Sequence, residues 1–176
     1  MSAKTNVSYN FLGKTGVKVS NICLGTVTFG SRIPEGPFAW FYDNPRQTNE
    51  ADSHKILDRY VELGGNILDT ADLYSAGESV EIIGKWLKKQ ERDNIIIASK
   101  AGIKTHDISG SSVELSRRHI IKSCMESLER LQTDYIDLYQ AHMWDTATPL
   151  EETLRTFDDL IKSGKIRHYG FSNVCG

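Results

Sequence analysis

Short apolar runs rich in β-formers alternate with amphipathic helical runs through most of this 176-residue chain, and that alternation leaves few folds open. Asn21-Ile-Cys-Leu24, Asn66-Ile-Leu-Asp69, Asn94-Ile-Ile-Ile-Ala-Ser99, Tyr135-Ile-Asp-Leu-Tyr139 and Ile166 to Phe171 read as strands. The third is apolar on both faces, as suits a parallel strand covered on each side. Between them, residues 52–63 place Ile56, Tyr60 and Leu63 on one helical stripe and stop at Gly64-Gly65. Residues 77–88 carry Val80, Ile83 and Leu87 at helical spacing, with Ser75 and Glu78 as a capping box. Residues 116–131 turn Ile120, Cys124, Leu128 and Leu131 inward. Thr148-Pro149-Leu150-Glu151 reads as N-cap, Pro at the first helical position and Glu at the third. It opens a helix with Leu150, Leu154, Phe157 and Ile161 inward that ends at Gly164. The order β-α-β-α-β-α-β-α-β predicts an α/β fold of parallel strands joined by right-handed crossovers.

Two parallel-sheet architectures compete. A doubly wound nucleotide fold wants a Gly-rich turn after its first strand. Here that turn is Gly25-Thr-Val-Thr-Phe-Gly30, which is not GxGxxG, and no GxxxxGK occurs. A (β/α)8 TIM-barrel type fits better. Strands start near residues 21, 66, 94, 135 and 166, an average step of about 36, so eight units need about 290 residues. The expectation is one partial barrel domain over residues 1–176, truncated after strand five, or an open sheet like half a barrel. Ahead of it, Tyr9-Asn-Phe-Leu and Val17-Lys-Val flank Gly13-Lys-Thr-Gly16 as an N-terminal hairpin. Gly30 to Asn49, with Phe38, Trp40, Phe41 and Tyr42, is a long aromatic loop, either functional or a packed surface loop.

Composition narrows the function. Lys and Arg number 21 against 23 Asp and Glu, a net charge of -2, which gives no electrostatic case for nucleic acid. No apolar run is long enough for membrane insertion, and Lys4 has no apolar stretch behind it to make a secretory signal. Cys23, Cys124 and Cys175 lie far apart with no zinc spacing, so no metal site is expected. They read as reduced thiols of a cytoplasmic protein, two of them packed as small hydrophobes.

In a barrel, chemistry sits where strands end. Strand two ends at Asp69, with Tyr74 in the next loop; strand three ends at Ser99-Lys100; strand four at Gln140-Ala-His142; strand five at Ser172-Asn173. This set supports proton transfer to a carbonyl oxygen. Free tyrosine ionises near pH 10, and an ammonium held against a phenol favours the phenolate. Asp69 supplies a counter-charge for Lys100, and His142 orients the substrate oxygen. No side chain is a hydride donor, so a hydride donor such as a nicotinamide is required. Taken singly, such a Lys is more often solvated and such an Asp more often a helix cap.

The sequence resembles the aldo-keto reductases from about Tyr9 to Asn173. The resemblance is carried by Phe-Leu-Gly-Lys-Thr-Gly at 11–16, Leu-Gly-Thr at 24–26 and Leu-Asp-Thr-Ala-Asp-Leu-Tyr at 68–74. It continues through Gly-Glu-Ser-Val-Glu-Ile-Ile-Gly at 77–84, Ala-Ser-Lys at 98–100, Tyr-Ile-Asp-Leu-Tyr-Gln-Ala-His at 135–142 and Gly-Phe-Ser-Asn at 170–173. The opening hairpin and Tyr-Ser-Ala-Gly-Glu-Ser look most like the branch of potassium-channel β subunits and related bacterial reductases. The resemblance implies NADPH-dependent reduction of aldehydes or ketones. It implies Asp69, Tyr74, Lys100 and His142 as a catalytic tetrad, with Tyr74 as general acid. It implies Ser172 and Asn173 as contacts to the nicotinamide carboxamide, with Asp69 and Thr26 also beside the cofactor. His119 and His168 match no family site and read as structural. Nor do any residues match the Gln, the ring-stacking Tyr and the phosphate-gripping Lys/Arg segment that follow the fifth strand in the family. The alternatives that stay open are a binding or regulatory protein with a channel-type partner, a homo-oligomer and an inactive truncated product.

Overall fold

The computed structural model describes residues 7–35, 39–43, 46–104 and 112–174, so the expectations for Phe38 and Cys175 lie outside the described residues. The hairpin is present: β1 (Tyr9–Phe11) and β2 (Lys18–Ser20) pair antiparallel, Tyr9 opposite Ser20. Then follow β3 (Leu24–Gly25), α1 (Ala39–Tyr42), α2 (Glu50–Glu62), β4 (Ile67–Asp69), α3 (Glu78–Leu87) and β5 (Ile96–Ala101). The described chain closes with α4 (Arg117–Leu131), β6 (Ile136–Ala141), α5 (Leu150–Lys162) and β7 (Ile166–Phe171). Strands β3 to β7 make one sheet in sequence order, and every neighbouring pair is parallel. Each crossover therefore advances one strand in a constant direction. That is the winding of a barrel; a doubly wound sheet reverses its order at a switch point.

Register sorts the strand residues between two faces. Leu68 pairs with Ile97, and Ser99 with Tyr139. These four are fully buried, and Leu68, Ile97 and Tyr139 pack in one core with Leu57, Ile83, Cys124 and Phe157 from the helices. The residues between them face the other way: Asp69, Ala98, Leu138 and His168 form one register row, and Lys100, Gln140 and Gly170 the next. The hairpin is fastened beneath β4. Asn66 accepts from Ser20 N at 2.7 Å and donates to Lys18 O at 3.0 Å, and Tyr9 donates its hydroxyl to Gly64 O at 2.7 Å. No helix among the described residues is long and apolar enough to cross a membrane.

Several local expectations are corrected. The first sheet strand is only two residues long, because Ile22 O takes the hydroxyls of Ser20 and Tyr60 in place of a strand partner. On α2 the buried stripe is Ser53 and Leu57, while Ile56 is 39% exposed. The helix starts earlier than expected, capped by the Asn49 side chain on Asp52 N, and Tyr60 turns to the hairpin. On α5, Thr153, Thr156, Phe157 and Leu160 are buried, and Leu150 and Ile161 lie exposed at the margins. Phe157 sets that face by stacking on Tyr169, with Tyr139 at its edge. Helix α5 begins at Leu150 with Pro149 as N-cap, and the Thr148 hydroxyl bonds Asp145 instead. The capping box at Ser75 and Glu78 is absent. Ser75 is buried in the left-handed region (φ 48°), and Gly77 precedes α3. Helix α4 begins at Arg117, one residue later than expected, with Ser116 as its N-cap on His119 N.

Helices α3 and α4 meet at Gly84. A Cβ there would overlap the Arg130 carbonyl oxygen and approach Leu131 C and Cα at 2.9 Å. Both obstacles are backbone, so one helix must move. Gly84→Ala is expected to destabilise the chain by about 2 kcal/mol, overpacking outweighing the gain in helix propensity. Urea unfolding checks this; an unchanged midpoint would mean the helices part without loss.

Candidate active site

Strands β4, β5 and β6 are neighbours, so parallel pairing brings the ends of all three together. Lys100 Nζ lies at the centre. It donates to Asp69 Oδ2 at 2.6 Å, to Thr70 O at 3.1 Å and to the Tyr74 hydroxyl at 3.2 Å. An ammonium has three donors, and here each has an acceptor. The lysine side chain is 8% exposed and the Asp69 side chain 31%, so the pair is largely shielded with its carboxylate toward the opening. The Tyr74 and His142 rings meet edge to face with centroids 5.9 Å apart. Burial and the Lys100 charge push the His142 imidazole down to about 4. It is therefore neutral at neutral pH, and its Nδ1 is buried without a partner among the described residues. Asp69, Tyr74, Lys100 and His142 thus stand together as one cluster.

The fifth strand brings Ser172 and Asn173 alongside. Asn173 Nδ2 donates to His142 O and to Ser172 Oγ, each at 2.9 Å, and Ser172 N donates to Ala141 O at 2.9 Å. Thr26 stands apart from them. It is fully buried, its N and Oγ1 each donate to Asp69 O at 3.0 Å, and Ser79 Oγ donates to its carbonyl and hydroxyl. Its side chain supports the strand end from below. Ser79 has no sequence signal of this role. His119 lies against Ser123 behind the sheet, and His168 shares the row of Asp69 on the site's face. A cleft of about 1030 Å³ lies beyond the Tyr74 turn, lined by Ile33, Asp72, Ala76, His119 and Arg130 among others. None of the four clustered side chains lines it, so the chemistry is assigned to the strand ends.

Asp72 is a second residue that the sequence did not single out. Burial raises its carboxyl to about 7 against the pull of Leu73 N, Arg130 and Ser123, and its Oδ1 is sealed without a partner. Between about pH 4 and 7 the folded chain holds a proton on Asp72 that the unfolded chain has released, so this group makes stability fall as pH rises. His142 acts oppositely. Between about pH 4 and 6.5 the unfolded chain holds a proton that folded His142 lacks, so stability rises with pH. Asp72→Asn removes the first slope and leaves the second. Relative to the parent, it is expected to gain about 3 kcal/mol between about pH 4 and pH 7. Urea titrations at the two pH values read it; an equal difference at both would mean Asp72 ionises at its ordinary pH.

The sheet has the winding of part of an α/β barrel, and the clustered side chains stand at the ends of its strands. The sequence model described as the Aldo/keto reductase family matches residues 21–175, and the chain belongs to that family. It is 34% identical over 183 residues to the uncharacterized oxidoreductase YrpG of Bacillus subtilis, covering 97% of this chain and 50% of that protein. It is 34% identical over 165 residues to norsolorinic acid reductase of Aspergillus flavus, covering 90% and 40%. Among solved structures, the holo form of aldo-keto reductase AKR11C1 from Bacillus halodurans superposes with a TM-score of 0.78 at 34% identity, covering 96% of this chain and 51% of that one. The chain thus spans about half the length of these relatives.

Proposed function

We propose that the chain carries the proton-transfer centre of an NADPH-dependent carbonyl reductase acting on aldehydes or ketones. The observation that carries this reading is the Lys100 ammonium bonded at once to Asp69, Thr70 O and the Tyr74 hydroxyl. A nicotinamide, when bound, supplies the hydride. Tyr74 gives its phenolic proton to the substrate oxygen as negative charge develops there, and Lys100 stabilises the phenolate left behind. Asp69 keeps the ammonium charged in its shielded place. Neutral His142 presents a ring nitrogen to the same oxygen and orients it.

The residues present fit a carboxamide beside this centre. Such a group needs an acceptor for its N–H and a donor for its carbonyl, and the Asn173 amide oxygen and Ser172 hydroxyl are of those kinds. Asn173 is held to His142 O, so carboxamide site and proton donor sit on one frame. The Ser172 and Asn173 pair suits the carboxamide of either nicotinamide dinucleotide, and the choice of NADPH rests on the family resemblance alone.

The test is a fluorescence titration of the purified chain with NADPH and, separately, NADH, followed by nicotinamide absorbance with a panel of aldehydes and ketones. Saturable binding and carbonyl-dependent oxidation of the cofactor are expected. Binding with no turnover on any carbonyl would overturn the enzymatic reading, and no binding of either cofactor would overturn the site.

A further inference from the structure

The turn that carries Tyr74 is strained. Ser75 and Ala76 both adopt the left-handed region, φ 48° and 53°, ahead of Gly77 at 86°. Side chains disfavour that region, and two consecutive non-glycine residues stay there only where the surroundings over-determine them. What lies against this turn is the first loop, which follows β3. Glu78 Oε2 accepts from Ser31 N at 2.7 Å and from Arg32 N at 2.8 Å. Gly30 (φ 96°) packs so tightly there that a Cβ would meet Glu78 Oε2 and Ser75 Cβ at 2.9 Å. Arg32 closes the contact with two bonds to the Glu81 carboxylate, 2.9 and 2.8 Å. From the other end of the loop, Thr48 O receives Gly30 N at 2.8 Å. The left-handed turn and residues 30–32 of the loop are thereby one body.

We propose that Glu78 is a positioning residue: its carboxylate clamps the first loop, at Ser31 and Arg32, onto the left-handed turn and so fixes Tyr74 over Lys100. This rests on the reading of Tyr74 as proton donor. The neighbouring Arg32–Glu81 pair is a surface contact, with the arginine side chain 52% exposed, and holds little by itself. Two backbone N–H groups on one carboxylate oxygen are charge-assisted bonds and hold more. Either N–H can also be accepted by the amide oxygen of glutamine at 78, whereas alanine offers nothing.

Two readouts test the clamp without turnover. Amide exchange of Ser31 and Arg32 is expected to quicken about tenfold or more in Glu78→Ala and to stay near the parent in Glu78→Gln. The side-chain carbon signals of labelled Tyr74, assigned by comparison with Tyr74→Phe, are expected to move in Glu78→Ala and return in Glu78→Gln. Gly30→Ala, which attacks the contact from the loop side, is expected to move them as Glu78→Ala does. With a reducible carbonyl, Glu78→Ala should lower kcat about tenfold at unchanged cofactor Kd, and Glu78→Gln should restore most of it. Unchanged exchange and Tyr74 signals in a folded Glu78→Ala chain overturn the clamp, as does equal loss in the alanine and glutamine variants. If the parent reduces no carbonyl, the proton-donor reading fails by that result, while exchange and Tyr74 signals still decide the clamp.

Discussion

Tyr74→Phe is expected to lower carbonyl reduction by about 10²- to 10⁴-fold and to leave cofactor Kd unchanged. The substitution removes one oxygen and little else. The ring keeps its edge-to-face packing on His142, and Lys100 keeps Asp69 Oδ2 and Thr70 O as acceptors, so the cluster does not collapse. Lost are the proton that would pass to the developing alkoxide and the oxygen that Lys100 holds at 3.2 Å. An interaction made only in the transition state shows as an equal fall in kcat and kcat/KM, which separates this role from substrate binding. The measurement is steady-state turnover on a carbonyl reduced by the parent, with the Kd from cofactor fluorescence. A phenylalanine variant with the parent's rate would remove Tyr74 from the chemistry and transfer the burden to His142, whose Nδ1 is buried without a partner among the described residues.

The strand ends were legible from sequence because position along a parallel strand converts directly into position in space. Asp69, Lys100 and His142 end three successive β-runs, and sequential pairing of β4, β5 and β6 makes them neighbours. Helix facing was less legible. On α5 the apolar positions Leu150 and Ile161 suggest one stripe, but the buried side includes Thr153 and Thr156, whose hydroxyls bond to Leu115 O and Glu152 O. A hydroxyl that finds a backbone acceptor can be buried, and no hydropathy pattern encodes that. The Tyr74 turn departs from its local pattern for a related reason. Ser75 and Glu78 have the spacing of a capping box, yet the carboxylate turns to Ser31 and Arg32, 47 and 46 residues away in sequence. A local rule loses when a distant loop offers two donors. Thr26 is a milder case: strand order brings it next to Asp69, but Ser79 from α3 and Asp69 O take its polar groups, so it is buried beneath the strand end and not beside a cofactor as expected.

Asp69→Ala is expected to destabilise the chain by about 3 kcal/mol, more than the removal of Lys100 with it. The alanine variant leaves an ammonium on a side chain only 8% exposed, with a peptide carbonyl and a phenol as its remaining acceptors. Breaking a buried pair from one side costs about 3–5 kcal/mol, and the 31% exposure of Asp69 places this pair at the lower end through solvent screening. The double variant Asp69→Asn, Lys100→Met removes both charges at similar volume, and it is expected within about 1 kcal/mol of the parent or above it. Urea unfolding of the parent, Asp69→Asn, Lys100→Met and their double variant completes the cycle, with Asp69→Ala measured beside it. If Asp69→Ala proved as stable as the parent, water would be reaching the ammonium, and Lys100 would not be the desolvated charge that the proton-transfer reading requires. If the double variant were the least stable of the four, the ion pair would be holding the strand ends together. A strong Asp69→Ala defect relieved by the double change would instead mark the pair as retained for chemistry, since an uncharged pair of the same size would serve the fold as well.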